Sequence, residues 1–193
     1  LALQTGLAEV GVMITASHNP AHDNGFKVLG YGGHKITDFE IQFIESWLDE
    51  DEVLGKVGRV YKVEAEARRA YNAALTQAVE PMAALAGRRV AIDLANGATV
   101  TSRSWLESLG VDWVFLSTGS GSINDGCGSE KLGLLRKAVV DNDCVAGIAV
   151  DGDGDRMRLV DERGHPVAGD AVAWRLVQGM GVRSLAVTVM SNG

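Results

Sequence analysis

The stretch Val145-Ala146-Gly147-Ile148-Ala149-Val150-Asp151-Gly152-Asp153-Gly154-Asp155-Arg156-Met157-Arg158-Leu159-Val160 decides how this chain folds. Its first six residues are apolar and small or β-branched, and read as a strand. Three carboxylates follow at alternate positions, separated by glycines that let the backbone turn tightly enough for them to converge. Like charges gathered in this way repel strongly without a cation. Hard oxygen donors in this number suit Mg²⁺ or Ca²⁺, not a soft metal. The rival reading is a calcium-binding helix–loop–helix, because Asp151, Asp153, Asp155 and Glu162 fall on its first, third, fifth and twelfth positions. Arg156 stands where that loop needs glycine, and the flanks read as strands. A solvated acidic turn that holds no metal is the plainer alternative.

Working outward, Met157 to Val160 reads as a second strand, turned by Glu162-Arg163-Gly164. Arg89 to Leu94 and Val111 to Leu116 read as further strands. Leu132, Leu135 and Val139 share a helical face, Thr99 to Leu109 reads as a helix ended by Gly110, and another helix is expected from about Asp170 to Met180. A strand is expected at Leu185 to Val189. Upstream, Glu64 to Leu85 reads as one long helix with a break near Pro81. Val57 to Val63 reads as a linking strand, and Thr37 to Glu40 as a capping box opening a helix to about Asp49. Val10 to Thr15 reads as a buried strand, and Phe26 to Leu29 as another. Strands alternating with helices predict an α/β fold with mixed, mostly parallel sheets flanked by helices. Ligands of such sheets lie beyond the carboxyl ends of the strands, which is where the aspartates fall.

A second polar loop follows a strand in the same way. It is Thr15-Ala16-Ser17-His18-Asn19-Pro20, with Asp23-Asn24-Gly25-Phe26-Lys27 behind it. Pro20 disfavours helix at Asn19, so Ser17 is expected in an extended or turn conformation with its hydroxyl facing out. A serine so placed can carry a phosphate of about −1.5 to −2 charge, with His18 and Asn19 as hydrogen-bond donors and Lys27 the nearest cation in sequence. Taken residue by residue, the string is equally a polar turn, where Ser, Asn and Pro are common.

The bulk properties narrow the partners. The chain has 193 residues, 46% hydrophobic and 22% charged, with a net charge of −7 and no run of Lys or Arg. No nucleic-acid or membrane partner is expected of it, and no apolar run approaches the ~18 residues of a membrane span. The two cysteines, Cys127 and Cys144, have no metal-ligand spacing, so reduced thiols and a cytoplasmic location are expected. The first residue is Leu1 and the last residues follow an apolar run, so a fragment of a longer protein is expected. His22, His34 and His165 read as surface or turn residues.

The two loops together resemble the α-D-phosphohexomutases. Thr-Ala-Ser-His-Asn-Pro followed by Asp-Asn-Gly-x-Lys is similar to that family's phosphoserine signature, and Asp-Gly-Asp-Gly-Asp-Arg to its metal loop. The resemblance implies that Ser17 gives and takes the phosphoryl group with His18 beside it, and that Lys27 does acid–base work. It implies that Asp151, Asp153 and Asp155 hold Mg²⁺ with an oxygen from phosphorylated Ser17, and that Arg156 is the arginine after the ligands. Three aspartates and a phosphoserine sum to about −5 against +2 for the metal, which calls for nearby cations such as Arg156 and Lys27.

Ile123-Asn124-Asp125-Gly126-Cys127-Gly128-Ser129 has no evident chemistry of its own but resembles a loop of the phosphoglucosamine branch, as does Gly154. The resemblance implies a hexosamine phosphate as substrate. It divides the chain into the later part of the first mutase domain (1–63), the second (64–185) and the start of a third (186–193). A phosphomannomutase or phosphoglucomutase of the same fold stays open, as does a non-catalytic metal-binding domain.

Overall fold

The apolar run before the aspartates forms one of two central strands of a four-stranded sheet. The computed structural model describes residues 2–15, 19, 22–48, 58–78 and 83–187. The chain divides into two units, one made of residues 1–15 and 24–81, the other of 16–23 and 82–193.

The sheet of the second unit is built from β3 (Arg89–Asp93), β4 (Asp112–Leu116), β5 (Ala146–Val150) and β6 (Met157–Asp161), in the order β4-β3-β5-β6. β3 runs parallel to β4 and to β5, while β6 returns antiparallel with Val150 opposite Met157. The carboxyl ends of the three parallel strands therefore share one edge. Helices α3 (Arg103–Glu107), α4 (Gly133–Asp141) and α5 (Gly169–Gly179) complete the unit.

Strand alternation sorts the core onto two faces. Ala91 and Ala149 pack with Leu135 and Val139 of α4, together with Val160 of β6. Ile92 packs on the other face with Leu94 and Leu106, and Ile148 joins it there. Val90, Ala91 and Ile92 are all buried, as expected of an interior parallel strand covered on both sides. Burying a Val or Ile side chain contributes roughly 1.5–3 kcal/mol, so this five-residue strand is a large part of what holds the sheet edge in place.

The first unit carries β1 (Gly11–Ile14) antiparallel to β2 (Phe26–Leu29), then α1 (Asp38–Ser46) and α2 (Glu64–Ala78). The capping box at the start of α1 forms as read. Thr37 Oγ1 accepts from Glu40 N at 3.3 Å, and Thr37 N donates to the Glu40 carboxylate at 2.8 Å.

Several expectations are corrected. β1 is a strand but not a buried one, for Val12 and Ile14 are exposed. Among the described residues it pairs with β2 alone, and a two-stranded ribbon has no second layer of its own to cover it. Residues 58–63, expected as a linking strand, have no regular structure. α2 is described over Glu64–Ala78, residues 79–82 with the expected break at Pro81 lie outside the described residues, and Ala83–Leu85 is a 3₁₀ turn where the long helix was expected to continue. The expected helix from Thr99 splits into a 3₁₀ segment (Ala98–Ser102) and the short α3. Residues 185–187 are not strand, and 188–189 lie outside the described residues.

Candidate functional site

Asp151 leaves the carboxyl end of β5 fully buried, Asp153 is half-buried and Asp155 exposed. One carboxylate oxygen from each lies within 4.8 Å of the other two. The turn that brings them together is closed from both ends. Gly154 adopts a left-handed backbone, φ +74°, and its N–H donates to Asp151 O at 3.0 Å. The return into β6 is set by Arg156, whose backbone N–H donates to Asp151 Oδ1 at 3.2 Å.

The Arg156 side chain supplies the counter-charge. Its Nε donates to Asp151 Oδ2 at 3.1 Å and stands 3.6 Å from Asp155 Oδ1. Glu130 lies 4.0 Å away on another side. One guanidinium among so many carboxylates leaves a net negative site. Partial loss of water, then the charges of Asp151 and Asp153, hold the Asp155 carboxyl above its usual range, with Arg156 opposing them. The Asp155 side chain is still 59% exposed, so the repulsion is the more telling of these causes. Three convergent carboxylates with a charge deficit fit a hard divalent cation.

Two neighbouring loops brace this turn. Asp93, at the end of β3, is fully buried and accepts from Ala95 N at 3.0 Å and from Gly128 N at 2.9 Å. One carboxylate thus joins the loop after β3 to the loop before α4. The loop after β3 also touches the aspartate turn directly, since Ala98 N donates to Gly152 O at 2.8 Å. Gly97 makes that approach possible. A Cβ there would stand 2.1 Å from Gly152 O.

The loop containing Ile123 to Ser129 is not inert filling. Ser129 N donates to Val150 O at 3.0 Å, directly before Asp151, and Asn124 N donates to Ala95 O at 3.0 Å. The Asn96 side chain donates to Ser122 O at 3.2 Å and accepts from Gly119 N at 2.9 Å. Asn124 Nδ2 reaches Asn19 O at 3.3 Å, so a residue of the serine loop sits on the loop beside the aspartates.

The expected site residues are therefore placed unevenly. Asp151, Asp153, Asp155 and Arg156 are together. Lys27 lies exposed on β2 of the first unit, opposite Met13. Ser17 and His18 lie outside the described residues. Asp93, Asn96 and Glu130 were not singled out by sequence. The available signal was an acidic residue closing an apolar strand, followed by Leu94-Ala95-Asn96-Gly97, a turn-rich string at a ligand-bearing edge. Cys127 and Cys144 are buried free thiols, and burial pushes both up from their ordinary range. Among the described residues no helix is long and apolar enough to cross a membrane.

Known proteins resemble this chain in sequence and in fold. Residues 1–53 match the family described as phosphoglucomutase/phosphomannomutase, alpha/beta/alpha domain I. A phosphoglucosamine mutase of Sphingopyxis alaskensis is 38% identical over 199 residues, covering 96% of this chain and 44% of that protein. One of Rhodococcus erythropolis is 42% identical over 200 residues, with the same coverage of each. The chain thus spans less than half the length of these relatives. Among solved structures, a phosphoglucomutase/phosphomannomutase family protein from Burkholderia thailandensis superposes with a TM-score of 0.65 at 22% identity, over 89% of this chain and 38% of that one. An N-acetylphosphoglucosamine mutase of Aspergillus fumigatus, in complex with GlcNAc-6P and magnesium, gives 0.51 at 16% identity, over 94% of this chain and 51% of that one. The family match over residues 1–53 and these relatives support a phosphohexomutase, most like the phosphoglucosamine mutases in sequence.

Proposed function

We propose that this chain carries the phosphoserine and metal-binding part of a phosphoglucosamine mutase, interconverting glucosamine 6-phosphate and glucosamine 1-phosphate. The observation that supports this best is the convergence of Asp151, Asp153 and Asp155 beside Arg156 at the sheet edge. On this reading residues 1–63 belong to the first mutase domain, 64–185 to the second and 186–193 to the start of a third, and the protein works in the cytoplasm.

Asp151, Asp153 and Asp155 would hold Mg²⁺, with a phosphate oxygen on Ser17 as a further donor. When bound, the ion draws charge from the phosphoryl group. The chain's own residues do the rest. Phosphorylated Ser17 gives its phosphoryl group to a sugar hydroxyl. The hydroxyl oxygen bonds to phosphorus, the bond from phosphorus to Ser17 Oγ breaks, and Lys27 passes the hydroxyl proton on to the departing Ser17 Oγ. The product is a hexosamine 1,6-bisphosphate. After it reorients, Ser17 Oγ bonds to the other phosphorus, the bond from that phosphorus to the sugar oxygen breaks, and the Ser17 hydroxyl proton passes to the released sugar oxygen. His18 donates a hydrogen bond to the phosphate, and Arg156 balances the aspartates.

The test is made on the full-length native protein. Ser17→Ala and Asp153→Asn should each reduce mutase turnover to background, with the Ser17 variant still folded because the substitution removes only one hydroxyl. Near-normal activity of Ser17→Ala would overturn the phosphoserine. A higher kcat/KM for mannose or glucose phosphate than for glucosamine phosphate would move the protein to another branch of the family.

A further inference from the structure

We propose that Asn124 is a positioning residue, fastening the serine loop at Asn19 onto the unit that carries the aspartates. Its consequence for catalysis rests on the mutase reading above, but the fastening itself does not.

Three observations carry it. Residues 16–23 group with the second unit, although the strands on either side of them, β1 and β2, belong to the first. The hydrogen bond from Asn124 Nδ2 to Asn19 O, 3.3 Å, joins residues 105 positions apart within that unit. Asn19 is two residues along the chain from Ser17. Finally, Asn124 is held in a left-handed backbone conformation, φ +60°, while its own N–H donates to Ala95 O.

A non-glycine residue in that conformation is uncommon, and Asn is among the few side chains that adopt it readily. Glycine would serve the backbone better, yet it has no amide to offer. The loop would turn as well with Gly at 124. What Asn adds is a donor aimed at Asn19. Asn96 repeats the device in the loop after β3. It too is left-handed, at φ +53°, and its amide fixes Ser122 and Gly119. The two asparagines form a ladder that starts from Ala95, next to the buried Asp93, and ends on the serine loop.

Phosphoryl transfer depends on holding donor, acceptor and charge in line, and a displacement of about 1 Å can cost on the order of 100-fold. A tether two residues from the donor serine is well placed to supply that restraint. The tether should therefore act on turnover and leave affinity for substrate and metal nearly unchanged.

The experiment uses two variants of the full-length native protein. Asn124→Gly keeps the left-handed backbone and removes the amide. Asn124→Asp also tolerates that backbone and offers no donor at neutral pH. Hydrogen–deuterium exchange of peptides covering residues 15–24 should be several-fold faster in both, while peptides from β3 and β5 keep their protection. Mg²⁺ affinity measured by calorimetry should stay within about twofold, and kcat should fall roughly tenfold or more with KM little changed. Unchanged exchange at residues 15–24 in both variants would overturn the tether. Faster exchange in Asn124→Gly alone would overturn it too, since loop flexibility and not the amide would then be responsible. Faster exchange in both variants of a protein with no mutase activity would support the tether and reject the function.

Discussion

Arg156 grips Asp151 twice, with its backbone N–H 3.2 Å from Oδ1 and its Nε 3.1 Å from Oδ2. The Asp151 side chain is 1% exposed and that of Arg156 44%. A buried carboxylate thus takes most of its compensation from one half-exposed cation. Removing that cation leaves the carboxylate short of partners, a loss of about 1–3 kcal/mol. Arg156→Met should therefore lower the melting temperature measured in chelator. Saturating Mg²⁺ should recover much of the loss, because a bound divalent ion stabilises the native state by mass action. Equal melting temperatures for variant and parent in chelator would show that the pair is not structural.

Asp155 behaves in the opposite way. Its folded carboxyl is held above the ordinary range, by lost water first and then by Asp151 and Asp153. For a carboxyl with a raised folded-state pKa, the protonated form favours folding. That contribution is present below the unfolded pKa and is lost as pH rises through the folded one. In chelator, Asp155→Asn should therefore match the parent in acid and exceed it in stability near neutrality. The same variant should bind Mg²⁺ more weakly. Denaturant titrations at several pH values check the first point and calorimetry the second.

Gly97 tests the contact between loops. Its missing Cβ would sit 2.1 Å from Gly152 O, and backbone cannot swing aside. Gly97→Ala should cost about 1–3 kcal/mol as overpacking does, and should weaken divalent-ion binding by moving the aspartate turn. Gly133→Ala is the control, since nothing lies within 4 Å of its Cβ. Equal stability and metal affinity for both variants would mean that the loops part freely.

Asp161 closes the turn after β6. Its carboxylate accepts from His165 N at 2.7 Å and Arg163 N at 3.0 Å. Those two amides, His165 first, hold it below the ordinary carboxylate range. A depressed carboxyl contributes stability above its unfolded pKa, about 3.9, and loses it as pH falls through the folded value. Asp161→Leu should lower stability near neutrality and flatten the acid limb of the stability–pH curve below about pH 4. An acid limb identical to the parent's would remove Asp161 from the account.

Much of the fold was legible because its signals are local. The capping box at Thr37 and Glu40 needs only four adjacent residues, and it forms as read. The apolar run ending at Val150 and the alternating aspartates carried both a strand and a site within a dozen positions. What was illegible depends on distant partners. Nothing around Asp93 announces that its carboxylate accepts from Gly128 N, 35 residues on. The same holds for Asn124 and Asn19. β1 misled for a related reason, since its composition suits a covered strand while its exposure depends on what packs over it. The helix expected from Thr99 gave way to a 3₁₀ segment where Gly97 and Ala98 are drawn against Gly152.

The aspartate turn joins two antiparallel neighbours, with Val150 opposite Met157 and Gly147 opposite Val160. Its length is consequently a matter of sheet parity. A single-residue insertion or deletion between 150 and 157 that was passed into β6 instead of being absorbed by the turn would exchange the faces of buried Val160 and half-buried Leu159. Composition within the turn can drift one residue at a time, whereas a change of length must keep both the register of the edge strand and the convergence of the three aspartates. Natural and laboratory variation of this segment should accordingly run through substitutions and avoid single-residue insertions or deletions.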